Sequence, residues 1–202
     1  MEEINFLEKP EWVSWEDIHQ CLYLAHQVNR KRGFNMVSQD LSAEKLENLI
    51  EGRGRCFVAF DKEKLVGVAT VRFFKSRRWW AWGRTVAYNG LDGVLKEYQG
   101  TDVFLGLQEM RNAVIKESGV RIIQSNTAVE NTVVLRRVKK AGWKFVQFSA
   151  TGKGADHYSV IMARWLDGCP WPDWFVNFMY KTSEFIIRAI WKPGYKIRFK
   201  FW

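Results

Sequence analysis

The residues of this 202-residue sequence best suited to chemistry are those that could bind phosphate. The segment Gln99–Phe104 (QGTDVF) leads into a predicted helix, and the backbone N–H groups at a helix start favour an anion. Another predicted helix, which begins near Asn131, carries four basic residues: Arg136, Arg137, Lys139 and Lys140. The formal net charge of the whole chain is +9, from 31 Lys and Arg against 22 Asp and Glu. We therefore expect a partner that bears phosphates, although charge alone does not choose between a cofactor, nucleic acid and an anionic membrane surface.

Both features also have a purely structural interpretation. The Gln99–Phe104 segment could be an ordinary strand-to-helix turn in which Asp102 caps the helix. The basic cluster could be a solvated helix face. These alternatives stay open at the level of the sequence.

No metal is expected. The cysteines and histidines are scattered, with no CxxC pair and no acidic or cysteine partner at ligand spacing. We expect the three thiols to be buried as small hydrophobes. These six residues are Cys21, Cys56, Cys169, His19, His26 and His157.

The elements that must position these residues alternate between helices and strands. Two helices are predicted first, from Ser14 to Gly33 and after Ser42, followed by a β-hairpin rich in Val, Phe and Ala. The remaining segments predict a strand, a helix, a strand, a helix and two strands. The hairpin strands are predicted at 55–61 and 65–74. The next strand lies within 79–91, the two helices at 103–118 and 131–141, and the last three strands at 120–126, 143–151 and 157–166. This order predicts a mixed α/β sheet.

With two motifs at matching places, this order resembles the GNAT superfamily of N-acyltransferases over roughly Ser14 to Leu166. The segment Val94–Phe104 (VLKEYQGTDVF) resembles the superfamily's strand-loop-helix ending in Gln/Arg-x-x-Gly-x-Gly/Ala. Gln99 fits that pattern, whereas Asp102 and Phe104 stand where the two glycines would be. An aspartate repels a pyrophosphate, and a phenylalanine is bulky at a position of close approach.

The second motif is NTVVLRRVKKAGW, which is similar to the superfamily's Asn-x-x-Ala-x-x-x-Tyr-x-x-x-Gly-Phe. Asn131, Gly142 and Trp143 occupy the expected positions. Val138 stands where the family's tyrosine often protonates the departing thiolate, so another group or water must act as the acid.

The resemblance implies a GNAT-like acyl-CoA N-acyltransferase fold with acetyl-CoA as cosubstrate. The residues it places near the coenzyme are Val94, Leu95, Gln99, Gly100, Thr101, Asp102, Val103, Phe104, Asn131 and Arg137. The acceptor amine must lose a proton before it attacks the thioester. We name Asp92 first as the proton acceptor, with Tyr88 and either His157 or Tyr158 as further candidates. Asp92 also lies in a turn-like stretch, Asn89–Gly93, where an aspartate often bonds only its own backbone.

The segment after residue 168 is unlike the rest, so we predict a GNAT-like domain over 1–168 and an aromatic, basic extension over 169–202. A helix from about Pro172 to Trp191 would have one polar stripe and a broad apolar remainder that must be covered. Packing against the domain or a second subunit is favoured, and an interfacial membrane helix is the alternative. The last residues, YKIRFKFW, could meet anionic lipid or add an edge strand. The tract RRWWAW, residues 77–82, could stack on a ligand, anchor in a membrane interface or cover the core.

The expected function is therefore transfer of an acyl group from acyl-CoA to a small-molecule or glycan amine. The alternative is a catalytically degenerate GNAT-fold binding or scaffold protein, in contact with a membrane through its extension. No nucleic-acid partner is expected, because the aromatic residues lack a repeated stacking pattern. The N-terminus does not resemble a signal peptide and no apolar run reaches the ~20 residues that cross a bilayer, which together predict a cytoplasmic protein.

Overall fold

The computed structural model describes residues 4–31, 41–151 and 157–190. In chain order the elements are β1 (Ile4–Glu8), α1 (Trp15–Lys31), α2 (Ala43–Ile50), β2 (Gly54–Asp61), β3 (Lys64–Lys75), β4 (Thr85–Asn89), β5 (Gly93–Val94), α3 (Val103–Glu117), β6 (Ile122–Ala128), α4 (Thr132–Lys140), β7 (Lys144–Thr151), β8 (His157–Trp165) and α5 (Asp173–Ile190). Helices alternate with largely antiparallel strands, which confirms the predicted mixed α/β fold.

Contacts divide the chain into two compact units. The first unit comprises Met1–Phe74 and Ala87–Val120, and the second comprises Lys75–Val86 and Arg121–Trp202. This division differs from the predicted boundary at residue 168.

The strands of the first unit are built on the predicted hairpin. β2 and β3 pair antiparallel, with Cys56 opposite Thr70 and Val58 opposite Val68. The residues from Cys56 to Phe60 are all buried, so β2 is covered on both faces. β1 pairs antiparallel with β2, and β5 pairs antiparallel with β3. The strand β1 precedes both helices, so the prediction that the chain begins with two helices is wrong.

The helices of the first unit follow the sequence pattern. On α1, Ile18, Leu22 and Ala25 recur at three- and four-residue spacing and are buried. The hydroxyl of Ser42 caps α2 by accepting a hydrogen bond from the Lys45 N–H at 3.3 Å, as predicted. On α3, a residue is buried at every fourth position: Val103, Leu107, Arg111 and Ile115.

In the second unit, β8 lies between β6 and β7 and pairs antiparallel with both. The core of the second unit contains Trp80, Ile122, Val146, Trp165 and other apolar side chains, among them Val176 of α5. The exposed fraction of Val176 is 1%, so α5 packs against this unit and buries one of its faces. Of the tract 77–82, Trp80 and Ala81 belong to the core, whereas Trp82 is exposed.

No helix in residues 4–31, 41–151 and 157–190 is long and apolar enough to cross a membrane. The proposed edge strand of the last residues lies outside the part of the chain that the structure describes.

Candidate functional site

The loop at 99–104 is held by its own polar side chains. The amide Nε2 of Gln99 donates to the carbonyl of Val94 in β5 at 3.0 Å. The hydroxyl of Thr101 donates to the carbonyl of Tyr98 at 2.7 Å. Gly100 has a φ of +88°, a conformation that favours glycine. Both side chains donate to main-chain carbonyls a few residues earlier, so Gln99 and Thr101 stabilise the main-chain conformation of the loop.

The start of α3 is open in the described structure. Asp102 stands at the N-cap with helical dihedrals, φ −76° and ψ −2°, and its side chain makes no capping hydrogen bond. Side-chain capping requires an extended N-cap residue, so the alternative that Asp102 caps the helix is wrong. The Val103 N–H donates to the Thr101 hydroxyl at 3.4 Å, so Thr101 satisfies one donor of the first turn. The next amides, those of Phe104 and Leu105, have no acceptor within a helix. This helix end therefore presents main-chain donors and a partial positive charge.

Phe104 is partly exposed at the start of α3. It is 39% exposed, and Asp102 is exposed as well, whereas the adjacent Val103 is buried. The two residues that depart from the GNAT pattern thus both lie at the surface.

The second motif forms the start of α4. The carbonyl of the Asn131 side chain accepts from the Val134 N–H at 3.4 Å, and its amide donates to the Thr127 hydroxyl at 3.3 Å. Arg137 is exposed, together with Arg136, Lys139 and Lys140. The helix ends before Gly142, which has a φ of +81°. Asn131 is therefore an N-cap, and the basic side chains are accessible to an anion.

Asp92, the first-named proton acceptor, is engaged at both carboxylate oxygens. Oδ2 lies 2.5 Å from the Arg111 Nη1, and Oδ1 accepts from the Thr70 N–H at 3.1 Å. The alternative that Asp92 bonds only its own turn is wrong, because both partners lie on other elements. A carboxylate held in this way is poorly placed to take a proton from an amine, so its catalytic role stays a prediction that the geometry disfavours.

The surroundings of Asp92 are buried and polar. The hydroxyl of Thr70 donates to the carbonyl of Gly90, and the Arg111 Nη1 also donates to the Thr70 carbonyl at 3.3 Å. Burial lowers the pKa of His26 on α1, opposed by a hydrogen bond to the Asp92 backbone and by the charge of Asp92. Four segments of the first unit therefore meet at one polar cluster.

Tyr88 on β4 packs within the first unit. The guanidinium carbon of Arg72 lies 4.8 Å from the centre of its ring, and the ring of Phe74 lies 6.3 Å away. A Cβ added to Gly90 would stand 2.4 Å from the Tyr88 ring, so a glycine is needed there. Tyr88 is half-buried.

The candidates on β8 lie in the second unit. His157 is its first residue, and its side chain lies outside what the structure describes. The ring of Tyr158 lies 5.1 Å from that of Phe148 and 5.2 Å from the guanidinium carbon of Arg188.

Sequence reasoning missed Arg111, whose side chain is only 2% exposed. A signal was present, because Arg111 falls on the apolar stripe of α3, four residues after Leu107 and four before Ile115. A charged residue on such a stripe indicates a buried partner.

Two further features bear on the site. A pocket of about 390 Å³ in the first unit is lined by Trp12, Leu24, Phe60, Leu65 and other residues, and Leu95 is the one predicted coenzyme contact among them. Among the described residues, no group of three or more His, Cys, Asp or Glu could hold a metal ion.

No protein-family model and no curated protein sequence matches the chain. Solved structures of GNAT-family acetyltransferases do match in fold. One from Staphylococcus aureus has a TM-score of 0.61 at 13% identity and covers 81% of this chain and 99% of its own. An acetyltransferase from Streptococcus agalactiae gives 0.60 at 18% identity, covering 82% and 100%. The NatC complex bound to Gag peptide and CoA gives 0.55 at 15% identity, covering 82% and 99%. The chain therefore has the GNAT acetyltransferase fold.

Proposed function

We propose that this protein transfers an acyl group from a coenzyme A thioester, with acetyl-CoA as the donor, to an amine. The observation that carries the proposal is the N-terminus of α3 in the segment 99–104, where Asp102 makes no capping hydrogen bond and Thr101 accepts only from the Val103 N–H. In a chain with the GNAT fold, this is where backbone amides would bind the coenzyme pyrophosphate. Phe104 is 39% exposed, so it is not enclosed in the core beneath this turn.

The proposed reaction is direct attack of the neutral amine on the thioester carbonyl. A nitrogen–carbon bond forms, the carbon–sulfur bond breaks, and coenzyme A leaves as a thiolate. The ammonium proton passes to water or a basic side chain, and the thiolate takes a proton from water or from a group other than Val138. Tyr88, Tyr158 and His157 remain candidates for these transfers. We propose a small-molecule or glycan amine as the acceptor.

A specific observation also favours the alternative of a GNAT-fold binding protein. The carboxylate of Asp102 stands beside the open amides, and Asp92 is already paired with Arg111. The charge of Asp102 would weaken coenzyme binding, and the pairing of Asp92 would hinder its role as proton acceptor.

Titration with acetyl-CoA distinguishes the two proposals. A ligand that binds only the folded state raises the melting temperature by linkage, so acetyl-CoA should raise it in a concentration-dependent way. ATP is the matched control, because it carries phosphates but no pantetheine. An equal shift with ATP, or no shift with acetyl-CoA at millimolar concentration, contradicts the transferase proposal and favours the binding protein.

A further inference from the structure

The charge of the chain is concentrated in the second unit. Residues 75–86 and 121–202 contain 18 Lys and Arg against 5 Asp and Glu, a net charge of +13. Residues 1–74 and 87–120 contain 13 against 17, a net charge of −4. A unit with this excess attracts a polyanionic surface.

The same unit exposes a line of aromatic side chains on α5. Trp174, Phe178 and Phe185 are 71%, 60% and 74% exposed. Their spacings of four and seven residues place them within an arc of about 40° on a helix of 3.6 residues per turn. We call these three residues the aromatic line.

The aromatic line lies opposite the packed face of α5. Val176 is buried in the core, and the Ser183 hydroxyl accepts from the Phe148 N–H of β7 at 2.8 Å. Tyr180 stacks on Phe145 and Phe148 of β7, with ring centres 5.8 and 6.4 Å apart. The helix is thus anchored to its unit on one side. On the other side, the Trp174 ring meets that of Phe175 edge-on at 5.8 Å, and most of Trp174 remains exposed.

The helix that carries the aromatic line has no net charge, because Asp173 and Glu184 balance Lys181 and Arg188. Glu184 pairs with Lys181 at 2.8 Å and with Arg188 at 3.2 Å, and these pairs lower the pKa of the Glu184 carboxyl. An apolar, locally neutral stripe on a strongly cationic unit suits a lipid surface, where rings enter the interface and basic residues meet headgroups. Single-stranded nucleic acid would instead favour unpaired cations interleaved with the rings.

Trp82 extends this surface. It is 75% exposed and has a φ of +50°, an uncommon conformation for a residue other than glycine. Its ring centre lies 6.5 Å from that of Trp171, which lies 5.4 Å from Phe175 of α5. A strained turn that presents a tryptophan to solvent is a feature found at functional sites.

We propose that the aromatic line and Trp82 bind an anionic phospholipid membrane, with α5 lying in the plane of the interface. A second copy of the chain is the less suitable occupant, since the exposed 60–75% of these four side chains amounts to about 400–700 Å², below the roughly 800 Å² per partner of a standard protein interface. This inference does not depend on coenzyme binding.

Flotation of the full chain with lipid vesicles tests the proposal. We expect binding to vesicles of equal parts phosphatidylcholine and phosphatidylglycerol, weaker binding at high salt, and little binding to phosphatidylcholine alone. The triple variant Trp174→Ala, Phe178→Ala, Phe185→Ala should lose binding by roughly tenfold or more. Each substituted side chain is exposed, so circular dichroism and thermal melting should show an unchanged fold.

The matched control is Trp12→Ala, which removes a tryptophan that is 68% exposed in the first unit. It should bind vesicles like the unsubstituted chain. The proposal is overturned by a triple variant that floats normally, or by an equal loss in Trp12→Ala. It is also overturned if the triple variant turns a dimer into a monomer without changing flotation, or if the chain binds a single-stranded oligonucleotide and no vesicles.

Discussion

The Arg111 Nη1 lies 2.5 Å from the Asp92 Oδ2, and the two side chains are 2% and 20% exposed. Arg111 belongs to α3, whose N-terminus is the proposed coenzyme site, and Asp92 follows β4, which carries Tyr88. One ion pair therefore ties these two segments of the first unit together. Its burial makes it costly to leave either partner alone.

Replacing Asp92 by alanine should lower the free energy of unfolding by about 3 kcal/mol, because the buried guanidinium would lose its counter-ion. Urea denaturation measures this change. Asp167→Ala is the matched control, since Asp167 pairs with Arg121 at the surface, with 64% and 65% of the side chains exposed. It should change stability by less than about 1 kcal/mol. Equal effects of the two substitutions would show that the Asp92 pair is not buried in solution.

The buried His26 should make stability depend on pH. Burial lowers its pKa in the folded protein below the ordinary value of 6.5. The unfolded chain therefore binds a proton first as the pH falls, so stability decreases from about pH 6.5 downward and is unaffected above it.

His26→Gln should flatten the stability profile in that window, as measured by denaturation at a series of pH values. His19→Gln is the control, because His19 lies on the same helix and is half-buried. A profile that keeps its slope in His26→Gln, or loses it in His19→Gln, assigns the dependence to another group.

The contact between β1 and α3 gives a third prediction. A Cβ on Gly106 would stand 2.4 Å from the tip of the Phe6 ring. Gly106→Ala should therefore destabilise the protein by about 1–2 kcal/mol, opposite in sign to the usual gain of an alanine inside a helix. In a Phe6→Ala background the same substitution should be neutral or stabilising, as thermal or urea unfolding would reveal. A stabilising Gly106→Ala in the unsubstituted chain is incompatible with the packing of β1.

Local patterns predicted most elements of this fold, because the hairpin, the helices and the Ser42 cap of α2 are encoded by neighbouring residues. β1 escaped prediction since INFLE is short and only partly alternating, and it is held by pairing with β2, a distant segment. The partners of Asp92 were missed for a similar reason. Thr70 and Arg111 lie 22 and 19 residues away in sequence, and only the fold brings them to the carboxylate.

The apolar surface of α5 shows a different limit of prediction from sequence. Its periodicity predicted the amphipathic helix, but the expectation that this surface must be covered is only partly met. Val176 is buried, whereas Phe178 and Phe185 are largely exposed in the described structure. Apolar composition identifies a surface that requires a partner and cannot by itself say whether that partner is the same chain.

Asp102 offers the sharpest test of the coenzyme site. Its carboxylate is exposed at the N-terminus of α3 and makes no capping hydrogen bond there, so removing its charge should not disturb the helix start. Asp102→Asn should tighten acetyl-CoA binding by roughly threefold to tenfold, because one negative charge beside the pyrophosphate is lost. Isothermal titration calorimetry measures the change. Glu109→Gln removes the same charge from an exposed position of α3 about two turns further along, and should leave the affinity within twofold of the original. If both variants bind alike, the pyrophosphate does not lie at this helix end.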